Sequence, residues 1–465
     1  MGDVSITTTG GTEIMIKEEA IGAFRASLRG DILEPRDAQY DDSRKIWNGM
    51  IDKRPALIVR CAGVSDVLQC VRFARSHQVP VAVRGGGHNV AGYAMCNGGM
   101  VIDLARMRSV QVDPVRRTAR AEGGAIWADV DHETQAFGLA TTGGTVSDTG
   151  IGGLTLGGGF GWLMGKHGLT CDNLLSLDMV TADGQFRAVR ATEHPDLFWA
   201  VRGGGGNFGV VTAFEYQLHP VGPVVAGMLL YPVAQAKSVL AHCCDFLRTA
   251  PEELGVVAGL LTSSEGAALC GVVVCYNGPQ AAGERVLQPL RAFGTPSLDS
   301  IGLVSYHQVQ TMLDPALPRG RKYYVKANLM RDVNDGAIET LVQGFATVPS
   351  RYTMALLVHL GAAPGRVRPE ETAFYYRETG YHFEILSGWD DAQHSEANIA
   401  WTRQLWNAMQ PFGSGGIYIN QMVDEGEQAV RTAYGPVAHQ RLVDVKTTYD
   451  PLNLFRHNQN IRPRS

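Results

Sequence analysis

Hydrophobic positions along the chain follow two periods, and each period predicts the elements where it holds. "ALIVRCA" over 56–62 is a β-branched apolar run and reads as a buried strand. "GVSDVLQCVRFARSHQV" over 63–79 switches to helical spacing, with Ser65 as the expected N-cap. "VPVAVRGGGH" reads as a second strand that runs into a glycine turn. "GMVIDLARM" and "RTARAEGGAIWADVDHETQAFG" repeat the alternation of strand and helix, which predicts an α+β or α/β architecture. Further glycine fields follow at 143–161 and in "VRGGGGNFGVV". From about Pro220 to Gly416 these fields stop, and helical stretches alternate with strands such as "RKYYVKANLM" and "YHFEILSGW". The end, "YDPLNLFRHNQNI", is turn-rich and polar again. This change of character predicts a glycine-rich binding domain over 1–219, an inserted second domain over 220–416, and a tail over 417–465 that returns to the first.

Composition narrows the functional classes. At 465 residues the chain has enough material for two or three domains. A net charge of -5, with 19% charged residues and no Lys/Arg run, offers no footprint for nucleic acid. The eight cysteines show no CxxC spacing, so they read as buried reduced thiols, and no metal site is expected. The first residues lack a basic segment leading into an apolar one, and no apolar run approaches membrane-spanning length. A cytoplasmic location without membrane association is therefore expected; the oligomeric state is not readable from the pattern.

Common motif readings fail on context. Gly204, Gly206 and Gly209 have the GxGxxG spacing of a dinucleotide fingerprint, but "VVTAFEYQL" follows as a strand where that motif needs a helix. "GKH" at 165–167 lacks both the first glycine and the Ser/Thr of a phosphate loop, because Phe160 and His167 stand there. HExxH and GxSxG are absent. What remains is three turn systems rich in backbone N–H groups, which can form anion nests able to hold a pyrophosphate without a lysine. One of them, "RGGGH", sets a single histidine, His88, at the edge of three glycines.

Taken in order, "VRGGGHNVAG", "GIGGLTLGGGFGWLMGKHGLTCDNL", "VRGGGGNFGVV", "YIN" and "YDPLNLFRHNQNI" resemble one family. It is the FAD-linked oxidase superfamily of p-cresol methylhydroxylase and vanillyl-alcohol oxidase, on the bacterial side of its berberine-bridge-enzyme-like branch. The resemblance runs from about Arg54 to Pro463. It implies an α+β fold in which a discontinuous FAD domain carries an inserted substrate domain, whose antiparallel sheet roofs the flavin. It also implies that the triple-glycine turn wraps the FAD pyrophosphate and that His88 bonds covalently to the flavin 8α-methyl carbon. The implied cofactor set is Arg84, Gly85, Gly86, Gly87, His88, Asn89 and Gly92 in the first field. In the second field it is Gly144, Thr145, Ser147, Thr149, Gly152, Gly153, Leu154, Gly158 and Gly161. Val211, Tyr418, Asn420, Asn458 and Asn460 complete it.

The sequence also departs from the family pattern. Many relatives carry a second, cysteinyl tether where Val146 stands here, and Cys171 is displaced from it, so a singly linked flavin is expected. Thr149 matches the position that lies over the flavin and influences oxygen access. His382 and Glu384 are two apart on an expected strand and so share a face. Glu384 matches a position used as base or substrate anchor. Tyr418 matches a site tyrosine, whereas Gln421 replaces the second tyrosine of that segment. Tyr324 and Lys326 are further candidates to line the pocket. The expected reaction is oxidation of a small alcohol, sugar or phenolic substrate by hydride transfer to flavin, with Glu384 or Tyr418 as base and dioxygen reduced to hydrogen peroxide. Two alternatives stay open: an oxygenase acting through a flavin-N5-oxide, and a flavin-containing drug-binding resistance protein.

Overall fold

Strand formation tracks the period-two alternation in the computed structural model, which describes residues 2–263, 265–377 and 380–464. Four short strands, β1 (Asp31–Leu33), β2 (Leu57–Arg60), β3 (Val81–Arg84) and β4 (Met100–Asp103), form one sheet in the order β1-β2-β4-β3. Its β2/β4 and β3/β4 pairs are parallel. The helix Val64–His77 makes the crossover from β2 to β3. That helix is preceded by Gly63 with no side-chain cap, so Ser65 lies inside the first turn and is not the N-cap.

A second sheet is antiparallel throughout. It joins β5 (Val110–Asp113), β6 (Thr118–Glu122), β7 (Leu174–Val180), β8 (Phe186–Arg190) and β9 (Val210–Gln217) in the order β8-β7-β9-β6-β5. The helix Trp127–Gln135 packs beside it, and Trp127 is fully buried in that core. The C-terminal helices Glu427–Tyr434 and Pro436–Tyr449 contribute Tyr434, Leu442 and Val445 to the same core, so the tail packs against the N-terminal half.

Between them lies a large antiparallel sheet. Its strands are β10 (Val224–Pro232), β11 (Leu254–Thr262), β12 (Ala268–Tyr276), β13 (Leu298–Asp299), β14 (Gly302–Val304), β15 (Lys322–Met330), β16 (Met354–His359) and β17 (Tyr381–Trp389). They run β13-β10-β12-β11-β16-β17-β15, with β14 also pairing β10. One face, carrying Leu229, Val256, Val272, Leu357 and Phe383, is sealed by helices Ala236–Leu247, Gln280–Arg291, Asp335–Phe345 and Ser395–Met409. The opposite face looks toward the glycine turns. All eight cysteines are buried and free. Among the described residues, no helix is long and apolar enough to cross a membrane.

Candidate active site

The glycine turn after β3 exists because two backbones meet there. A Cβ on Gly86 would lie 2.3 Å from the Gly150 nitrogen, and Gly87 has φ +73°. Any larger residue at 86 would force the two turns apart, and an L side chain at 87 would strain the backbone. Among the described residues, the backbone N–H groups of 86–89 and 144–146 find no acceptor. These residues line one space, and unpaired amides along a wall can form an anion-binding concavity. That space is a cavity of about 540 Å³, lined on one side by Gly85, Gly86, Gly87, Gly144, Thr145 and Thr149, and on the other by the open face of the large sheet.

His88 stands on the cavity wall with Asp148 beside it. His88 Nε2 lies 2.7 Å from Asp148 Oδ1, although neither atom completes a hydrogen bond of good angle. Arg319 closes the cluster: its Nε donates to Asp148 Oδ2 at 2.6 Å and its Nη2 to the Gly86 carbonyl at 2.7 Å. Burial pulls the His88 pKa below its ordinary value against the opposing pull of Asp148, so the imidazole is neutral near pH 7. Burial would raise the Asp148 carboxyl, but His88 and Arg319 outweigh it and hold it below the ordinary range. Trp47 stacks near His88 with centroids 5.3 Å apart and lies parallel to Tyr323 at 3.9 Å.

On the facing wall, β17 presents His382 and Glu384 together, as the period of two requires. His382 Nε2 is 3.5 Å from Glu384 Oε2. Both imidazole nitrogens and that carboxylate oxygen are buried without a hydrogen-bond partner. Buried polar atoms left unpaired cost free energy unless a ligand satisfies them. Tyr418 approaches from the tail: its hydroxyl accepts from the Gly159 N–H at 3.1 Å and from Asn420 Nδ2 at 2.8 Å. Phe160 stacks on its ring at 3.9 Å. Burial pushes the phenol pKa well above its ordinary value despite these two donors, so Tyr418 keeps its proton.

Comparison with known proteins bears on this arrangement. A family profile described as "FAD binding domain" matches residues 55–190, and one described as "Berberine and berberine like" matches 417–462. An FAD-linked oxidoreductase of Dictyostelium discoideum is 32% identical over 453 residues, covering 96% of this chain and 97% of its own. The chain belongs to the berberine-bridge-enzyme-like FAD-linked oxidoreductases. It is an FAD-dependent oxidoreductase. (R)-6-hydroxynicotine oxidase of Paenarthrobacter nicotinovorans is 32% identical over 472 residues, covering 94% of this chain and 97% of its own. The crystal structure of 6-hydroxy-D-nicotine oxidase from Arthrobacter nicotinovorans superposes with a TM-score of 0.87 at 31% identity, over 94% of this chain and 99% of that one. The α+β two-domain architecture expected from the sequence is that of these oxidases.

In this berberine-bridge-like protein the cavity suits a large anionic cofactor: its unpaired amides offer donors to a pyrophosphate, and the volume falls within the roughly 300–1,000 Å³ of cofactor sites. Of the residues expected around FAD, Gly85, Gly86, Gly87, His88 and Asn89 line the cavity. So do Gly144, Thr145, Thr149, Gly152, Gly153, Leu154 and Gly161, with Val211, Tyr418, Asn420 and Asn458. Five lie outside the lining. Arg84 donates to the Ser43 carbonyl and faces Asp103 at 3.8 Å, which makes it a strand-end anchor. Gly92 packs on Ile51, and Gly158 packs on Phe374 with φ +120°. The Ser147 hydroxyl donates to Asp314 Oδ2 at 2.6 Å. Asn460 Oδ1 is buried without a partner, but the residue stands off the wall. Cys171 is also outside the lining, whereas Val146 is on it.

Tyr324 and Lys326 are corrected by the register. They lie on the helix-facing side of β15, where the Tyr324 hydroxyl accepts from Arg403 Nε at 3.0 Å. Lys326 pairs with Glu425 at 2.7 Å and sits over the Trp406 ring. Several wall residues had no sequence signal. Trp47 and the loop carrying Met312, Leu313 and Leu317 reach the cavity only through tertiary packing. Asp148 was discoverable as the one acidic side chain inside the second glycine field.

Proposed function

We propose that this protein is an oxidase that removes hydride from a C–H carbon of a small organic substrate and holds its FAD covalently through His88. When bound, FAD supplies the hydride acceptor, and dioxygen then takes the electrons and leaves as hydrogen peroxide. Asp148 occupies the Nε2 side of the His88 ring, which leaves Nδ1 to meet the cofactor as a neutral nucleophile. With Val146 at the other tether position, the attachment is single.

The observation that carries the catalytic assignment is the unpaired His382–Glu384 couple on the wall that faces the glycine cradle. Glu384 accepts the substrate hydroxyl or amine proton as the carbon loses its hydride, and His382 beside it keeps both ring nitrogens free to meet the substrate. Tyr418 keeps its proton and donates to the substrate. The large sheet keeps water off the reacting carbon, and fixed orientation supplies much of the rate.

The test is anaerobic flavin reduction with a substrate found by screening alcohols, amines, phenols and sugars for bleaching. Glu384→Gln should slow the reduction step about 10²-fold or more while flavin content stays unchanged. Tyr418→Phe should slow it less. The reverse ranking makes the tyrosine the base. Peroxide formed in proportion to product supports the oxidase reading, and oxygen incorporated without matching peroxide refutes it.

A further inference from the structure

The large sheet presents one continuous hydrocarbon face to the cavity. Two rows cross it in register. Met228, Val273, Val257, Val358 and His382 align on neighbouring strands, and so do Leu230, Gly271, Gly259, Leu356 and Glu384. Each row therefore runs from aliphatic residues on β10 to a polar one on β17. Among the described residues of β10, β11, β12, β16 and β17 that line the cavity, the polar side chains are His359, His382 and Glu384, all at the β16–β17 end. At about 4.8 Å per strand, the four steps from Glu384 to Leu230 span about 19 Å. The loop before β15 adds Met312, Leu313 and Leu317 to the same space.

Exposure follows the rows. Met228, Leu230, Val273, Leu356 and Val358 are half-buried, while the alternate residues that point at the helices are fully buried. These half-buried aliphatic groups offer an apolar surface to the flavin ring and to a substrate in the same cavity. The unpaired atoms at the β17 end include Glu384 Oε2 and, from the tail, Gln421 Oε1, and both accept hydrogen bonds.

We propose that the substrate is an apolar molecule with one hydroxyl or amino group at the carbon to be oxidised and no other polar group along its body. This rests on the oxidase reading above and specifies the substrate class for that same site. An oligosaccharide would set several hydroxyls against this face without partners, and each would weaken binding about tenfold or more.

Calorimetric titration of the flavin-loaded protein with 2-alkanols from 2-butanol to 2-decanol, beside xylobiose and maltose, tests the proposal. Affinity should rise about fourfold per added methylene until the cavity is filled, and the disaccharides should show no heat of binding. Gly271→Val reads the position of the apolar end. A Cβ there would lie 2.8 Å from Leu261 Cδ2 and 3.4 Å from Leu230 Cδ2, so the bulk shortens the cavity at that end. The rise should then stop at a shorter alkanol than in the unsubstituted protein. A flat alkanol series, or a disaccharide binding as tightly as 2-decanol, overturns the proposal, and the unsubstituted protein alone decides this. Because binding is read as heat, a rising series without flavin bleaching overturns the oxidase reading and leaves the ligand class standing.

Discussion

Replacing Asp148 by asparagine keeps the shape beside His88 but removes the carboxylate that faces Nε2 at 2.7 Å. A neutral side chain can still accept from an Nε2–H, so the ring should stay in place while its preference for that tautomer weakens. Hydrogen bonds to charged groups contribute about 1.5–3 kcal/mol, or roughly 10- to 150-fold. Asp148 is 33% exposed and its contact with His88 is poorly angled, so the low end applies. Covalent attachment should therefore slow about tenfold. The assay adds FAD to protein produced without riboflavin and follows acid-stable fluorescence in the precipitated chain, with His88→Ala as the blank. The pH profile separates this role from simple packing. Burial lowers His88 and Asp148 raises it, so attachment should fall as pH drops through the His88 pKa. In Asp148→Asn that acid limb should move to lower pH, because the influence that raised His88 is gone. Attachment at the unsubstituted rate with an unmoved acid limb would refute the assignment.

Three further outcomes are expected. Thr149 lines the cavity, so Thr149→Leu should slow reoxidation of reduced flavin by dioxygen in stopped flow and change anaerobic reduction less. Mass-spectrometric peptide mapping should find flavin on the His88 peptide and none on that of Cys171, a buried thiol whose pKa burial pushes well up. Asp131 is fully buried, accepts from Gln310 Nε2 at 2.9 Å, and is pushed up to about 7 by burial. The folded state then holds a proton that the unfolded state releases near pH 4, so the stability this group contributes in acid is lost as pH rises from about 4 to 7. Asp131→Asn should flatten the dependence of Tm on pH across that window and stabilise at pH 8 by at most about 4 kcal/mol.

Local physics made much of the site legible. The period-two runs "YHFEILSGW" and "RKYYVKANLM" are strands, and the parity of the first puts His382 and Glu384 on one face. The glycine triplet reads as a tight turn, and the structure adds a close approach to the Gly150 backbone that the sequence did not show. Parity alone could not say which face of β15 meets the cavity. Tyr324 and Lys326, expected at the pocket, therefore face helix Ser395–Met409 instead. The N-cap expected at Ser65 failed because Gly63 opens that helix with backbone alone. Arg319 and Asp148 are 171 residues apart, and no local pattern encodes a pair at that separation.

That long-range pair explains how one site is built from two parts of the chain. Arg319 brings a cation to the Gly86 carbonyl from the loop that leads into β15. The start of β15 is fixed to the N-terminal segment a second time: Asn48 Nδ2 donates to the Tyr323 carbonyl at 2.9 Å, and Asn48 Oδ1 accepts from the Tyr323 N–H at 3.0 Å. Along the same strand, Ala327 pairs with Glu384 on β17. His88 beside Asp148 and Glu384 on β17 are thus referenced to each other through one strand pair. Since an error of about 1 Å between base and acceptor costs on the order of 10²-fold in rate, changes at Asn48 or Arg319 should act on catalysis through alignment, even though neither residue reaches the reacting carbon.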